Sequence, residues 1–334
     1  MFKNYLTIAL RNFRRHKLFS LINMAGLAIG ISAALVIYLI VQYEFNFDTF
    51  HKDKDRIYRV VSELKFPDLT INNSGVPAPT GRAAVKELTG FEVVAPFITA
   101  DETNVAIAHT GSSSPVVFKK QKNIAFADGN YFRLFDYPWL AGAAQVALKD
   151  PFQVVLTESR ANEYFGKIAV SDMVGRTIVY DDTLKATVSG IVKDLQQPTS
   201  FATREFISLA TIGSTGLKDR WGWDEWGSIN SNSQLFVKIE PRASTASLLK
   251  QFAALREKYR TKNDLEKNDI IKHSFQPLAD IHFNNTYDAM GERQAHKPTL
   301  YGLLAVALFL LLLGCINFVN LTTAQATQRA REIG

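Results

Sequence analysis

Side chains able to do chemistry are plentiful in this sequence, but their spacing assembles no catalyst. The six histidines (His16, His51, His109, His273, His282 and His296) show neither an HExxH pattern nor any other metal-ligand spacing. Gly111-Ser112-Ser113-Ser114-Pro115 reads as a turn between strands and not as a nucleophile elbow. No GxxxxGK[ST] run is present, so the chain cannot cradle a nucleotide through a P-loop. Asp280 and His282 could pair a carboxylate with an imidazole, although a lone Asp-x-His suits a structural role better. Trp221-Gly222-Trp223-Asp224-Glu225-Trp226 could stack a ligand or meet a partner, and the plainer reading is that it packs a loop. The residues therefore predict a non-catalytic chain without a cofactor or metal site of its own.

The elements that would position these side chains are dominated by two apolar runs. No Asp, Glu, Lys or Arg occurs from Leu18 to Tyr43, nor from Leu300 to Leu321. As helices these runs extend ~39 Å and ~33 Å, enough to cross a hydrocarbon core of ~30 Å. The first is too long for a signal peptide and flows into Tyr43-Glu44-Phe45 without a small-residue cleavage site. Charge sets the orientation. Lys3, Arg11, Arg14, Arg15 and Lys17 precede the first run, while Arg329 and Arg331 against Glu332 follow the second. These flanks hold the whole formal charge of +6, and the region between them is neutral. The positive-inside rule then puts both ends of the chain in the cytoplasm and residues 44–299 outside it. The basic balance is a topology signal and gives no support to nucleic-acid binding. The only cysteine, Cys315, lies in the second run, so no intrachain disulfide staples the outer region.

Within the first span Gly26 and Gly30 form a GxxxG pair, which lets a second helix approach closely. Asn317 and Asn320, one turn apart near the end of the second span, need polar partners. Phe2, Tyr5, Leu6, Ala9 and Phe13 give residues 1–17 an amphipathic, basic character suited to the inner leaflet. The outer region reads as α+β. Strands are expected at 57–64, 91–98, 105–108, 116–118, 153–156, 176–180, 186–192 and 235–239. Helices are expected at 82–88, from the N-cap Thr157 to Gly166, and over 245–259 with Leu248, Phe252, Leu255 and Tyr259 on one face.

Several collinear segments together resemble the MacB/FtsX-like permease family of ABC transporters (type VII, mechanotransmission class), in its Bacteroidetes-type form. They are Asn4-Tyr5-Leu6 with Ala9-Leu10-Arg11-Asn12; Glu44-Phe45 with Asp48, Phe50-His51 and Asp55-Arg56-Ile57-Tyr58-Arg59-Val60; and Asn130-Tyr131-Phe132 with Phe135-Asp136. Val155-Leu156-Thr157-Glu158, Tyr164-Phe165-Gly166, Ser189-Gly190-Ile191-Val192-Lys193-Asp194 and Asp280-Ile281-His282-Phe283 continue the match. It closes on Asn317-Phe318-Val319-Asn320-Leu321 and Arg329-Ala330-Arg331-Glu332-Ile333-Gly334. Gln196-Gln197-Pro198 departs from it, since the family places proline directly after Lys-Asp-Leu.

The resemblance implies a membrane protein of two transmembrane α-helices flanking an α+β periplasmic domain with a porter-like and a distal subdomain. On that reading, residues 1–17 form the cytoplasmic basic helix, 18–43 and 300–321 the transmembrane helices, and 44–299 the MacB-like periplasmic core domain. The porter-like part takes about 56–118 and 230–285, the distal part about 120–225, and 322–334 begins a cytoplasmic coupling region. Arg329, Arg331, Glu332 and Gly334 would contact a separate ABC ATPase that carries the ATP and Mg, and Gly26 and Gly30 would pack helices. Further implied partners are a second permease copy, the lipid bilayer and a periplasmic adaptor or lipoprotein. The expected location is the bacterial inner membrane, and the expected task is efflux or extraction of a substrate. The family's further membrane helices are missing after Gly334, so the expectation is an amino-terminal portion of a longer permease. A two-span ligand sensor has the same topology. It would continue into a kinase or a methyl-accepting region.

Overall fold

The computed structural model describes residues 17–66, 69–108, 114–260, 270–291 and 293–333, which form two units, a helical one and a domain spanning Phe47–Gln294. The segment 1–16, His109, the 111–113 turn and Gly334 lie outside the described residues.

The helical unit pairs α1 (Lys17–Phe45) with α6 (Lys297–Ile333). Leu21–Phe45 and Lys297–Asn320, 25 and 24 residues, are long and apolar enough to cross a membrane. α6 runs on past the expected end at 321 to Ile333 without a break, because nothing in Thr322–Arg331 is a helix breaker. The helices are antiparallel. A Cβ built on Gly30 would lie 3.5 Å from the Leu310 carbonyl, and one on Gly26 would lie 3.8 Å from Asn317 Nδ2. That Asn317 amide donates to Asn23 Oδ1 at 3.3 Å. Ala34 and Ala307 are buried, while Leu21, Leu35, Leu308 and Leu312 stand exposed, as suits a surface facing lipid.

The domain is built on one 13-stranded sheet. Its strands are β1 (Ile57–Lys65), β2 (Thr70–Asn73), β3 (Phe91–Thr99), β4 (Thr103–Ile107), β5 (Val116–Gln121), β6 (Ile124–Ala127), β7 (Trp139–Ala141), β8 (Gln153–Thr157), β9 (Thr177–Tyr180), β10 (Leu184–Val192), β11 (Glu205–Ser208), β12 (Ser233–Ile239) and β13 (Ile270–Pro277). The spatial order is β13-β1-β12-β3-β6-β11-β8-β10-β9-β4-β5, with β2 on β1 and β7 on β10. β8–β10 and β6–β11 are parallel, as their crossover connections require, and the other pairings are antiparallel. The two chain ends of the domain meet in the pairing of β1 with β13, which runs from Tyr58↔Pro277 to Lys65↔Ile270.

Residues 103–118, expected in the porter-like part, instead belong to the other end of the sheet. β4 pairs with β9 through Val105↔Tyr180 and Ile107↔Ile178, and β5 extends that edge. A hairpin can attach to either edge of a sheet with the same local pattern, so its neighbours are set by tertiary structure.

Three cores hold the domain. At one end Val60, Leu235 and Val237 pack under α5 (Thr245–Lys258), whose buried face is Leu248, Phe252 and Leu255 as the periodicity predicts. Full burial of each such side chain stabilises by about 1.5–3 kcal/mol. At the other end Val105, Ile178, Leu156 and Tyr164 pack against α4 (Glu158–Phe165). Thr157 caps α4 by accepting the Arg160 N–H at 3.4 Å, and Gly166 ends it at φ +75°. Between these lies an aromatic core of Phe97, Tyr131, Phe135, Phe206 and Phe236, brought together by α3 (Gly129–Phe135). α2 (Ala78–Glu87) starts earlier than expected because Pro79 falls in its first turn, where the missing N–H costs nothing.

Candidate functional site

The domain begins at Phe47, two residues beyond the end of α1, and its first five residues are tied into the fold rather than left as a linker. The Asp48 N–H donates to the Pro198 carbonyl at 3.0 Å. The Asp48 carboxylate accepts the Thr199 hydroxyl at 2.6 Å and the Ser200 N–H at 3.2 Å. Asp48 sits at φ +56°, a left-handed conformation that Asp tolerates better than most residues. This turns the carboxylate onto the 198–200 segment. The Phe201 N–H in turn donates to Thr199 Oγ1 at 3.1 Å, so one hydroxyl links both sides of the turn.

His51, buried with its Nε2 3.6 Å from Asp48, packs edge-on against Phe135 and Phe201. Those two rings lie 4.1 Å apart and open into the aromatic core. On the other side the Phe47 ring stacks on His282, with centroids 3.6 Å apart and planes within 8°. The entering segment and the segment that leads out of the domain are therefore in direct contact. His282 has this packing role, and Asp280 binds elsewhere. The Asp280 carboxylate accepts from Gln276 Nε2 at 3.1 Å and Asn284 Nδ2 at 2.6 Å. Asp280 and His282 thus form no acid–imidazole pair of the kind their spacing raised.

A buried polar centre adjoins this segment. Arg59 on β1 donates from Nε to Gln276 Oε1 at 2.9 Å and from Nη2 to the Asp288 carbonyl at 3.1 Å. Burial disfavours its charge and lowers its pKa to about 10, still far above neutrality. At the domain's edge Arg56 and Lys238 alternate with Asp53 and Glu92 in a ring of four contacts of 2.7–2.9 Å. Hydrogen bonds from Lys238 and Arg56 lower the pKa of both carboxylates.

The tryptophan-rich run is a strap across the two ends of the sheet. Trp221 enters the core beside Phe126, Trp223 lies 3.9 Å beneath the Arg82 guanidinium of α2, and Trp226 stacks on Tyr259 at 4.2 Å. Arg82 also pairs with Asp224 at 3.0 Å and donates to the Trp223 carbonyl. The strap then bridges Ile229 to Pro77. Its three indoles thus make packing contacts, which is the plainer of the two roles their sequence offered.

A second buried network sits at the end of β11. Glu205, wholly buried, accepts from Tyr164 at 2.5 Å and Tyr180 at 2.9 Å and lies 3.0 Å from Arg160 Nε. Desolvation raises its pKa, and Arg160 and the two hydroxyls oppose that rise. Among the described residues no group of three His, Cys, Asp or Glu could hold a metal.

Of the residues singled out for function, Gly26 and Gly30 lie on the face of α1 turned to α6. Arg329, Arg331 and Glu332 fall on the final turns of α6. The Asp48 contact with Thr199 and Ser200 was invisible in the sequence. Its signal was indirect: Asp48 belongs to the segment after the first span, and Pro198 marks the departure from the family pattern.

Two helices apolar enough to cross a membrane, flanking one mixed α/β domain, define the architecture of a membrane protein with a large domain between its spans. The chain belongs to the family of the MacB-like periplasmic core domain, whose model matches residues 20–255. Among solved structures, a domain of a protein described as a permease, from Porphyromonas gingivalis, has the same fold. It aligns with a TM-score of 0.57 at 16% identity, over 76% of this chain and 99% of its own. The periplasmic region of MacB from Actinobacillus actinomycetemcomitans aligns at 0.42 and 14% identity, over 65% of this chain and 87% of its own. No curated protein matches the chain in sequence. Family membership makes this a permease component of the ABC-transporter type with a periplasmic domain, a reading that the sensor alternative lacks.

Proposed function

We propose that this chain is the permease subunit of an ABC transporter in which a separate cytoplasmic ATPase drives the α1–α6 pair, and the periplasmic domain turns that motion into efflux or extraction of a substrate. The observation that supports this reading most is the tethered entry segment. Within the domain the Phe47 ring stacks on His282 and the Asp48 carboxylate holds the 199–200 turn, so a displacement imposed on this segment would spread into the fold. A slack linker would absorb such a displacement, whereas packed and hydrogen-bonded groups transmit it.

On this reading both chain ends are cytoplasmic and the membrane is the bacterial inner membrane. Arg329, Arg331, Glu332 and Gly334 contact the ATPase, on which ATP and Mg bind. Gly26 and Gly30 let α6 approach α1, and the exposed faces of both helices meet a second permease copy and lipid. An adaptor or lipoprotein on the periplasmic side completes the assembly.

The test is reconstitution of the full-length permease with its ATPase in nanodiscs. The expected result is that Arg331→Asp with Glu332→Arg abolishes co-purification of the ATPase. Asp48→Ala should keep co-purification and lose the ATP-dependent change in distance between spin labels at Ser171 and Lys250. If the wild-type permease retains no ATPase, or if Asp48→Ala leaves the label response intact, the proposal fails.

A further inference from the structure

The half of the sheet containing β4–β11 holds a cavity of about 400 Å³ that ATPase coupling does not use. That volume falls in the range of small-molecule sites, roughly 300–1,000 Å³. Its inner surface is apolar: Ile124 and Phe126 of β6, Ile207 of β11 and Leu184 of β10 form the floor, with Leu217 and Trp221 as a wall. Trp221 is only 7% exposed, and its indole Nε1 has no hydrogen-bond partner among the described residues.

The mouth is acidic and unevenly compensated. Asp101 is occupied, lying 3.2 Å from Arg220 and accepting from Asn232 Nδ2 at 3.3 Å. Asp181 accepts the Asn104 N–H at 2.9 Å and has no cationic partner among the described residues. Phe152, a bulky residue in the lining, sits at φ +62°, a conformation costly for it. Asp181 and Asp182, at +43° and +61°, are the central residues of the β9–β10 hairpin turn, where such angles are ordinary. Phe152 is held there by donating its N–H to Thr211 Oγ1 at 2.9 Å, and its carbonyl accepts the Thr187 N–H at 2.8 Å. Phe152, 39% exposed and in a backbone conformation that bulky residues avoid, lines this apolar cavity.

We propose that this cavity binds a small amphipathic molecule, with its apolar body against Phe126, Leu184 and Trp221 and a single cationic group against Asp181. The apolar floor supplies the affinity, and the uncompensated carboxylate selects the sign of the head group. This inference goes beyond ATPase coupling and stands or falls independently of it.

Three probes with one apolar body test it: 4-phenylbutylamine, 4-phenylbutanol and 4-phenylbutyrate, titrated into the whole chain in nanodiscs with tryptophan fluorescence as readout. The amine should give a saturable change, about fivefold tighter than the alcohol and about tenfold tighter than the acid at low salt. Asp181→Asn should remove the preference for the amine. Gly216→Trp should abolish binding, because Gly216 lines the cavity and a Cβ added there meets nothing within 4 Å. Thermal melting checks that this variant folds, and Thr183→Trp at the exposed rim serves as a second occluding variant. No saturable response to any probe, or a response that survives both occluding variants, overturns the proposal. Equal affinity for the three head groups, unchanged by Asp181→Asn, overturns it as well.

Discussion

The Asp48 carboxylate and the Thr199 hydroxyl, 151 residues apart in sequence, meet at 2.6 Å. This contact fastens the first turn of the domain to a loop that follows β10, with Asp48 buried and Thr199 half-buried. Asp48 makes this contact from a left-handed backbone conformation, at φ +56°.

Asp48→Ala should lower unfolding stability by about 1–3 kcal/mol, since the Ser200 N–H would be left buried and unpaired and the half-buried Thr199 hydroxyl would lose its acceptor. Asp48→Asn keeps one acceptor oxygen and should lose about half as much. Urea unfolding of the three proteins measures this. Equal midpoints for wild type and Asp48→Ala would mean that the segment is not anchored through this carboxylate.

Arg160→Met should cost about 3–5 kcal/mol, because it strands Glu205 as a buried charge, and the double variant Arg160→Met/Glu205→Leu should recover much of that loss. The pH dependence has a definite sign. With its pKa raised by burial, Glu205 in the folded protein keeps its proton to higher pH than in the unfolded chain. Stability therefore falls as pH rises through and above the ordinary glutamate value of ~4.3, and more steeply once Arg160 no longer opposes the shift. Thermal melts of Arg160→Met between pH 4 and 7 should show this fall, and a flat profile would contradict it.

His273 on β13 gives the opposite slope. Burial, with help from the nearby Arg256 charge, lowers its pKa to about 4. Between pH 4 and about 6.5 the unfolded chain takes up a proton that the folded protein refuses, so stability falls as pH drops through that window. The loss should reach about 2 kcal/mol, less than the full shift implies because the ring keeps some solvent exposure. His273→Gln should remove this portion of the acid dependence, and an unchanged pH profile in that variant would refute the assignment.

The strap can be broken without touching its tryptophans. A methyl added at Gly75 would lie 2.0 Å from the Asn230 carbonyl and 2.7 Å from that of Ser233, both backbone atoms. Gly75→Ala should therefore destabilise by about 1–3 kcal/mol and push the strap outward. The Trp226–Tyr259 stack would loosen with it, giving a red-shifted tryptophan emission. Trp223→Ala should produce a loss of similar size through the cation–π contact with Arg82. If emission and stability in Gly75→Ala match wild type, the strap is not held where described.

Much of the fold was legible because it is written in local patterns. Charge-free runs mark α1 and α6, Thr157 and Gly166 bracket α4, and Leu248, Phe252 and Leu255 declare the buried face of α5. Each depends on residues close in sequence, where period, capping chemistry and hydropathy act directly. The candidate site was far less legible. Asp48 and His51 could be picked out only as part of a segment, and the tryptophan run read as loop packing with a ligand role as its alternative.

The sequence by itself therefore determined the helices able to span a membrane, the neutral outer domain between basic flanks, and most of the strands. Tertiary structure decided which strands share an edge, moving β4 and β5 beside β9. It also decided that Phe47 lies on His282, that Asp48 closes on Thr199, and that the apolar side chains of β6, β10 and β11 leave a cavity under Phe152. The physical reason is the same in each case. Hydrogen bonds and packing between residues distant in sequence depend on how whole elements are juxtaposed, and no local propensity encodes that juxtaposition.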